Sequence, residues 1–292
     1  MTHVMVPDGV LPWWLSAAGW LGTAFRVAFS LWRLRGVPAA RMVPLVGVMT
    51  ALMVLIMSVE LVPIGYELHF TVLTGIIIGP WFGAVAALLF NILRALIGDG
   101  AFTNIGLNTV IIWLEIALGA GLWALLRPFV RWPGPATGEA AGPGPGDGGP
   151  SPAPGTARAR SLSPAVAAGL ATFVSLVLAT VVFVGLIGLS TVDPLQVVET
   201  GTYDVRAGGF ADAPFAGGLL NVHVVEGPEA PPGPEGASGG ADPQPAFGAF
   251  ALAVLALGAL GALIEAVIVG AVAAFIARVR PELLGLRPPA AR

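Results

Sequence analysis

The chain has 292 residues, 56% of them hydrophobic and 11% charged, and its mean hydropathy is +0.85. Soluble domains carry roughly 25% charged residues, so the composition argues against a water-soluble enzyme, and its apolar content excludes disorder over most of the length. A net charge of −3 excludes a basic nucleic-acid binder. The absence of cysteine excludes disulfides, thiolate metal sites and cysteine nucleophiles.

A membrane-crossing helix needs about 20 apolar residues. In chain order the apolar runs are residues 13–31, 42–62, 68–79, 81–97, 105–126, 165–189 and 247–277. Run 81–97 is slightly short. Run 68–79 is too short to cross unless it is a half-helix or lies in a protected interior. The first run has no basic region before it and no small-residue cleavage site after it, so it is expected to be retained rather than cleaved as a signal. Residues 132–163 are rich in Gly, Pro and Ala and predict a flexible tether. Residues 191–246 begin with some strand-like character and become Pro/Gly-rich after Glu226, which predicts a poorly ordered loop.

Arginine placement predicts the topology. If 68–79 and 81–97 are separate crossings broken at Gly79-Pro80, and the N-terminus is outside, twelve arginines face the cytoplasm. Arg94 and Arg206 alone lie outside. A single broken crossing over 68–97 spoils this asymmetry whichever end is inside. The positive-inside rule therefore favours an all-α, polytopic membrane bundle of about seven crossings, N-terminus out and C-terminus in. Its expected divisions are an N-terminal membrane region (1–131), a cytoplasmic linker (132–163), a transmembrane helix (164–190), an extracellular low-complexity loop (191–246), and a last helix with a cytoplasmic tail (247–292).

Charged groups at membrane depth are costly. Glu115 and Glu265 lie near the middle of their runs, and Glu60 and Arg94 near the outer ends. These residues either line a substrate path or form buried structural links with one another or with Asn91 and Asn108. Glu60–Arg94 is the first pair to expect. The last run carries Gly258, Ala262, Ala266, Gly270 and Ala274 on one helical face. Such a stripe permits close helix approach, within the subunit or against a partner.

The three histidines are His3, His69 and His223. An N-terminal histidine can chelate through the free α-amine, its own amide nitrogen and its ring. Planar nitrogen donors suit Ni(II) or Cu(II). If Met1 is excised, the chain starts Thr2-His3, which supplies three nitrogens and leaves one place for His69. If Met1 is kept, Met1-Thr2-His3 can supply all four.

Four stretches in order resemble the membrane substrate-binding subunit of cobalt/nickel energy-coupling-factor transporters, the CbiM/NikM family. They are Val6-Pro7-Asp8-Gly9-Val10-Leu11-Pro12, Gly79-Pro80-Trp81-Phe82-Gly83, the run from Gly98-Asp99-Gly100 to Gly106-Leu107-Asn108, and Ile264-Glu265-Ala266 followed by Arg278-Val279-Arg280-Pro281-Glu282-Leu283-Leu284. The resemblance covers both ends of the chain and most of residues 1–126. It implies a multi-pass protein of a prokaryotic plasma membrane that captures Co(II) or Ni(II) outside the cell as transported substrate. It also implies a transmembrane coupling subunit and cytoplasmic ATPases as partners, and allows a small accessory membrane subunit. In the family the N-terminus folds back into the bundle, and metal binds its amine, the second residue's amide and ring, and a distant histidine.

On this chain that implies a metal set drawn from Thr2, His3 and His69. Met5 stands where the family has its N-terminal histidine relative to Pro-Asp-Gly, and Glu67 stands closer than His69 to the family's interval before Gly-Pro-Trp. Both are therefore candidates, and the Met5 thioether would favour copper. The alternative is a transporter subunit of the same frame for another metal or small solute. The sequence has no Gly-x-x-x-x-Gly-Lys-Ser/Thr loop, no His-Glu-x-x-His and no Gly-x-Ser-x-Gly. A transport subunit rather than an enzyme, with no organic cofactor and no nucleic-acid partner, is the expectation.

Overall fold

The computed structural model describes residues 11–37, 39–57, 60–61, 66–97, 101–130, 162–190 and 247–286. Six helices follow in order: α1 (Trp13–Arg33), α2 (Ala39–Met57), α3 (Thr71–Leu96), α4 (Ile105–Leu126), α5 (Pro164–Ser190) and α6 (Phe247–Val279). Glu60–Leu61 and Tyr66–Glu67 form a two-residue antiparallel ladder with Glu60 opposite Glu67. α3, α4, α5 and the Ala251–Val279 part of α6 are long and apolar enough to cross a membrane. The all-α expectation holds among these residues apart from that short ladder. Residues 131–161 and the loop 191–246 lie outside them.

Local chemistry explains the element ends. Ser163 accepts the Val166 N–H on its hydroxyl at 3.2 Å, ahead of a proline that opens α5. Inside α3, Gly79 leaves the helix at φ 75°, ψ 172°. Pro80 disfavours helical backbone at the residue before it, and glycine accepts the positive φ without a Cβ clash. The expected break is therefore present at Gly79-Pro80.

The break changes the direction of the chain. Gly75 and Gly83 would lie about 12 Å apart along a straight helix, yet both meet Ile116, one at its carbonyl oxygen and the other at a γ-methyl. Helix directions require the same reversal. Gly19 meets Leu107, Gly22 meets Val110, and the Arg26 guanidinium stacks 3.6 Å from the centre of the Trp113 ring, so α1 and α4 run parallel. Gly83 packs on Ile116, and Ala87 and Phe90 share a cluster with Ile112 and Ile116, so the second half of α3 runs antiparallel to α4. The chain must therefore come back between α2 and Trp81, and residues 66–79 make that descent. Their short helical piece is well protected, with Thr71, Val72, Leu73, Thr74, Gly75, Ile76 and Ile78 all buried.

The remaining helices complete the bundle. Leu107 and Ile111 of α4 cluster with Phe183, Val184 and Ile187 near the end of α5, so these two run antiparallel. α6 returns along α5: Gly188 meets Phe247, Gly258 meets Thr180, and Gly270 meets the Ala165 carbonyl. Gly258, Ala262, Ala266 and Gly270 are buried in that contact, so the small-residue stripe serves packing within the subunit. The C-terminal ends of α4 and α6 meet where Trp123 Nε1 donates to the Leu284 carbonyl at 3.1 Å. Arg33, Arg35, Arg127, Arg278 and Arg280 consequently share one end of the bundle, Arg26 lies near mid-depth against Trp113, and Arg94 lies toward the other end.

Candidate metal-capture site

The segment between the ladder and α3 reaches into the bundle interior and is tied there by long-range polar contacts that involve three carboxylates. At its start, Arg94 Nη1 donates to Glu67 Oε2 at 2.9 Å, and Arg94 is buried. Next, both carboxylate oxygens of Glu265 accept main-chain amides, His69 N–H at 2.9 Å and Phe70 N–H at 2.8 Å. Phe70 has left-handed backbone, φ 52°, so consecutive amides converge on one anion as in a backbone nest. Finally, the Thr71 hydroxyl donates to Glu115 Oε2 at 2.8 Å, and His69 Nδ1 lies 3.3 Å from the same oxygen.

His69 is therefore enclosed. It is 2% exposed, and Glu115 and Glu265 on either side are 0% exposed. These groups lie near the middle of α4 and α6. An isolated charge at that depth is expensive. The cluster offers three carboxyl groups against one guanidinium and one imidazole, and the guanidinium is already engaged by Glu67. That composition favours a cation over an anion or a neutral solute.

The structure brings together part of the expected set. His69 and Glu67 belong to the same strapped segment, but Glu67 is turned to Arg94. Arg94, expected opposite Glu60, pairs with Glu67; Glu60 faces Glu67 across the ladder, and its side chain lies outside the described residues. Asn91 donates back to the Ala87 carbonyl one turn earlier, at 2.9 Å, so it is not the link that Glu115 was offered. Thr2, His3, Met5 and His223 lie outside the described residues. Among the described residues, no three His, Asp or Glu side chains are arranged to hold a metal ion. Glu115 and Glu265 stand out in sequence as charges in apolar runs, but no local pattern links them to His69.

The first described residues pack on the helix that carries Glu115. Leu11 and Leu15 are buried in the cluster that contains Leu107 and Ile111. Ile111 and Glu115 are four apart on α4 and share a face, about 6 Å along the axis.

A family model described as the cobalt uptake substrate-specific transmembrane region, CbiM, matches residues 5–283. Two solved structures share the fold. One, described as a transition metal transporter, has a TM-score of 0.57 at 15% identity over 94% of this chain and 93% of its own. The other, a truncated transition metal transporter, has a TM-score of 0.56 at 16% identity over 93% of this chain and 97% of its own. No curated protein matches the sequence at a significant level.

Proposed function

We propose a function from one premise: the chain belongs to the CbiM family of cobalt-uptake substrate-specific transmembrane regions. It is a metal-transport component of the membrane, and our reading is that it captures Co(II) or Ni(II) from outside the cell. The observation that carries this reading is His69, held in the interior between Glu115 and Glu265 on a segment strapped to α3, α4 and α6.

In this reading the N-terminus supplies the other donors. With Met1 removed, the Thr2 amine, the His3 amide and the His3 ring form fused chelate rings, and His69 closes the nitrogen set. Planar nitrogen coordination suits Ni(II). Glu67, held by Arg94, shapes the segment rather than binding metal. The carboxyl groups around His69 offset the incoming charge without entering the coordination sphere. Transport itself requires energy from elsewhere, so a coupling subunit and ATPases are the partners proposed.

The parallel run of α1 and α4 supports seven passes, because the two halves of α3 then count separately. The shared arginine end is assigned to the cytoplasm by the positive-inside rule. The N-terminus is then outside and the C-terminus inside, with 132–163 cytoplasmic and 191–246 extracellular, in a prokaryotic plasma membrane.

Two measurements test this. Because the natural chain has no cysteine, a single Val6→Cys labelled by an impermeant maleimide reports sidedness. Labelling from outside intact cells is expected, and labelling only after lysis overturns the topology. Titration of purified protein with Co(II), Ni(II), Cu(II) and Zn(II) is then repeated with an N-terminal extension and with His69→Ala. Loss of binding in both is expected. Undiminished affinity in the extended protein refutes chelation through the amine.

A further inference from the structure

Glu115 sits on α4, 44 positions along the chain from the hydroxyl of Thr71 that holds it. Three observations single it out. It is completely buried. Its Oε2 accepts from Thr71 Oγ1 at 2.8 Å and lies 3.3 Å from His69 Nδ1, close but not aligned as a hydrogen bond. Its Oε1 has no hydrogen-bond partner among the described residues. Buried acceptors retained for stability alone are normally satisfied, and an unsatisfied one calls for another reason. The Thr71 contact offers one. It fixes the carboxylate with Oε2 at the imidazole, at the expense of the other oxygen.

We infer that Glu115 is a positioning residue for His69: its carboxylate holds the Nδ1 side of the ring and so makes Nε2 the nitrogen that meets the metal. This rests on the metal-capture reading above. A histidine ligand whose second nitrogen faces a carboxylate is fixed in tautomer and ring orientation, and its metal-binding nitrogen becomes more basic. An Nδ1 attached to a proton at 3.3 Å is a loose contact. Metal at Nε2 makes that N–H a stronger donor, and the contact tightens. Glu265 acts on a different part of the same residue. It seats the main chain at 69 and 70 and leaves the ring to Glu115, so the two carboxylates divide the control of backbone and side chain.

Cu(II) is the probe, since its paramagnetism reports the remote nitrogen of a bound imidazole. The full chain in nanodiscs is loaded with one equivalent and studied by pulsed electron spin echo spectroscopy, alongside competition titrations. In the wild type the remote nitrogens of two bound imidazoles, His3 and His69, are expected, and in His69→Ala the modulation falls to that of one imidazole and its combination lines are lost. Glu115→Gln keeps shape and an acceptor oxygen but loses the charge, so its remote-nitrogen quadrupole coupling shifts while the signal persists. Glu115→Leu weakens Cu(II) binding by about 10–100-fold, the usual range for losing such a partner. Thr71→Val, which frees Oε2 but keeps the charge, falls between the two Glu115 variants in affinity. Thermal denaturation of each variant separates a folding loss from a positioning loss, and Glu115→Gln carries the test if Glu115→Leu does not fold. An unchanged coupling and affinity in Glu115→Gln and Thr71→Val overturns the assignment and leaves the metal reading standing. A two-imidazole signal that is unchanged in His69→Ala removes both.

Discussion

Replacing Glu265 by glutamine tests the strap that carries His69. Each carboxylate oxygen accepts one buried amide, at 2.9 Å from His69 and 2.8 Å from Phe70. Glutamine has the same shape but a single acceptor, so one amide keeps its bond and the other faces an NH2 group. A hydrogen bond to a charged group is worth about 1.5–3 kcal/mol, and an orphaned buried donor costs about 1–3 kcal/mol. Phe70 also loses part of what holds it at φ 52°, a conformation that costs a non-glycine residue roughly 1–2 kcal/mol. These contributions overlap, and a net loss of about 2–4 kcal/mol in the local stability of this segment is expected from them. At 1.4 kcal/mol per tenfold, opening becomes roughly 30- to 1,000-fold more frequent. Hydrogen exchange read by mass spectrometry on peptides covering 66–73 measures it directly, since amides that exchange by local opening report its free energy. Metal affinity should fall in the same variant, because a loosened segment must be reordered before His69 can bind. Unchanged protection at 69 and 70 would show that Glu265 does not seat the segment, whatever happens to the metal.

Two further perturbations bear on the frame. Arg94→Met removes the guanidinium that donates to Glu67 at 2.9 Å, and breaking a buried pair costs about 3–5 kcal/mol; adding Glu67→Leu should restore part of the lost melting temperature in detergent, and no recovery would argue against the pairing. At Gly106 an added Cβ would fall 2.6 Å from the Trp20 Cα and 2.8 Å from the Gly19 carbonyl carbon. Both are backbone atoms that cannot swing away, so Gly106→Ala should destabilise by about 1–3 kcal/mol. Gly121→Ala, with nothing within 4 Å, should be neutral or slightly stabilising in the same melting experiment.

Much of the frame was legible in the residue order. The apolar runs became the helices within a few residues, and run 42–62 shortened to end at Met57 because Glu60–Leu61 pairs with Tyr66–Glu67 instead of extending α2. Gly79-Pro80 predicted a break, and the fold shows one. The small-residue stripe of the last run had two readings, and α5 occupies it. The site was only partly legible. His69 was singled out, but its neighbours were not. The partner expected for Arg94 was Glu60, reached by judging which charges lie near the same membrane face; the structure shows Arg94 on Glu67, and the Glu60 side chain lies outside the described residues. That criterion cannot distinguish Glu60 from Glu67, because the antiparallel ladder sets them opposite each other.

Helix positions, the interruption in α3 and the clustering of arginine follow from hydrophobicity and backbone sterics within some twenty residues, and the order of residues determines them alone. The grouping of Glu67 with Arg94, of Glu115 with His69 and Thr71, and of Glu265 with the amides of 69 and 70 was decided only in three dimensions. The last of these contacts joins positions 196 residues apart. It exists because α6 returns along α5 while residues 66–79 descend into the same interior, and a buried carboxylate there must find its hydrogen-bond donors wherever the backbone has left them.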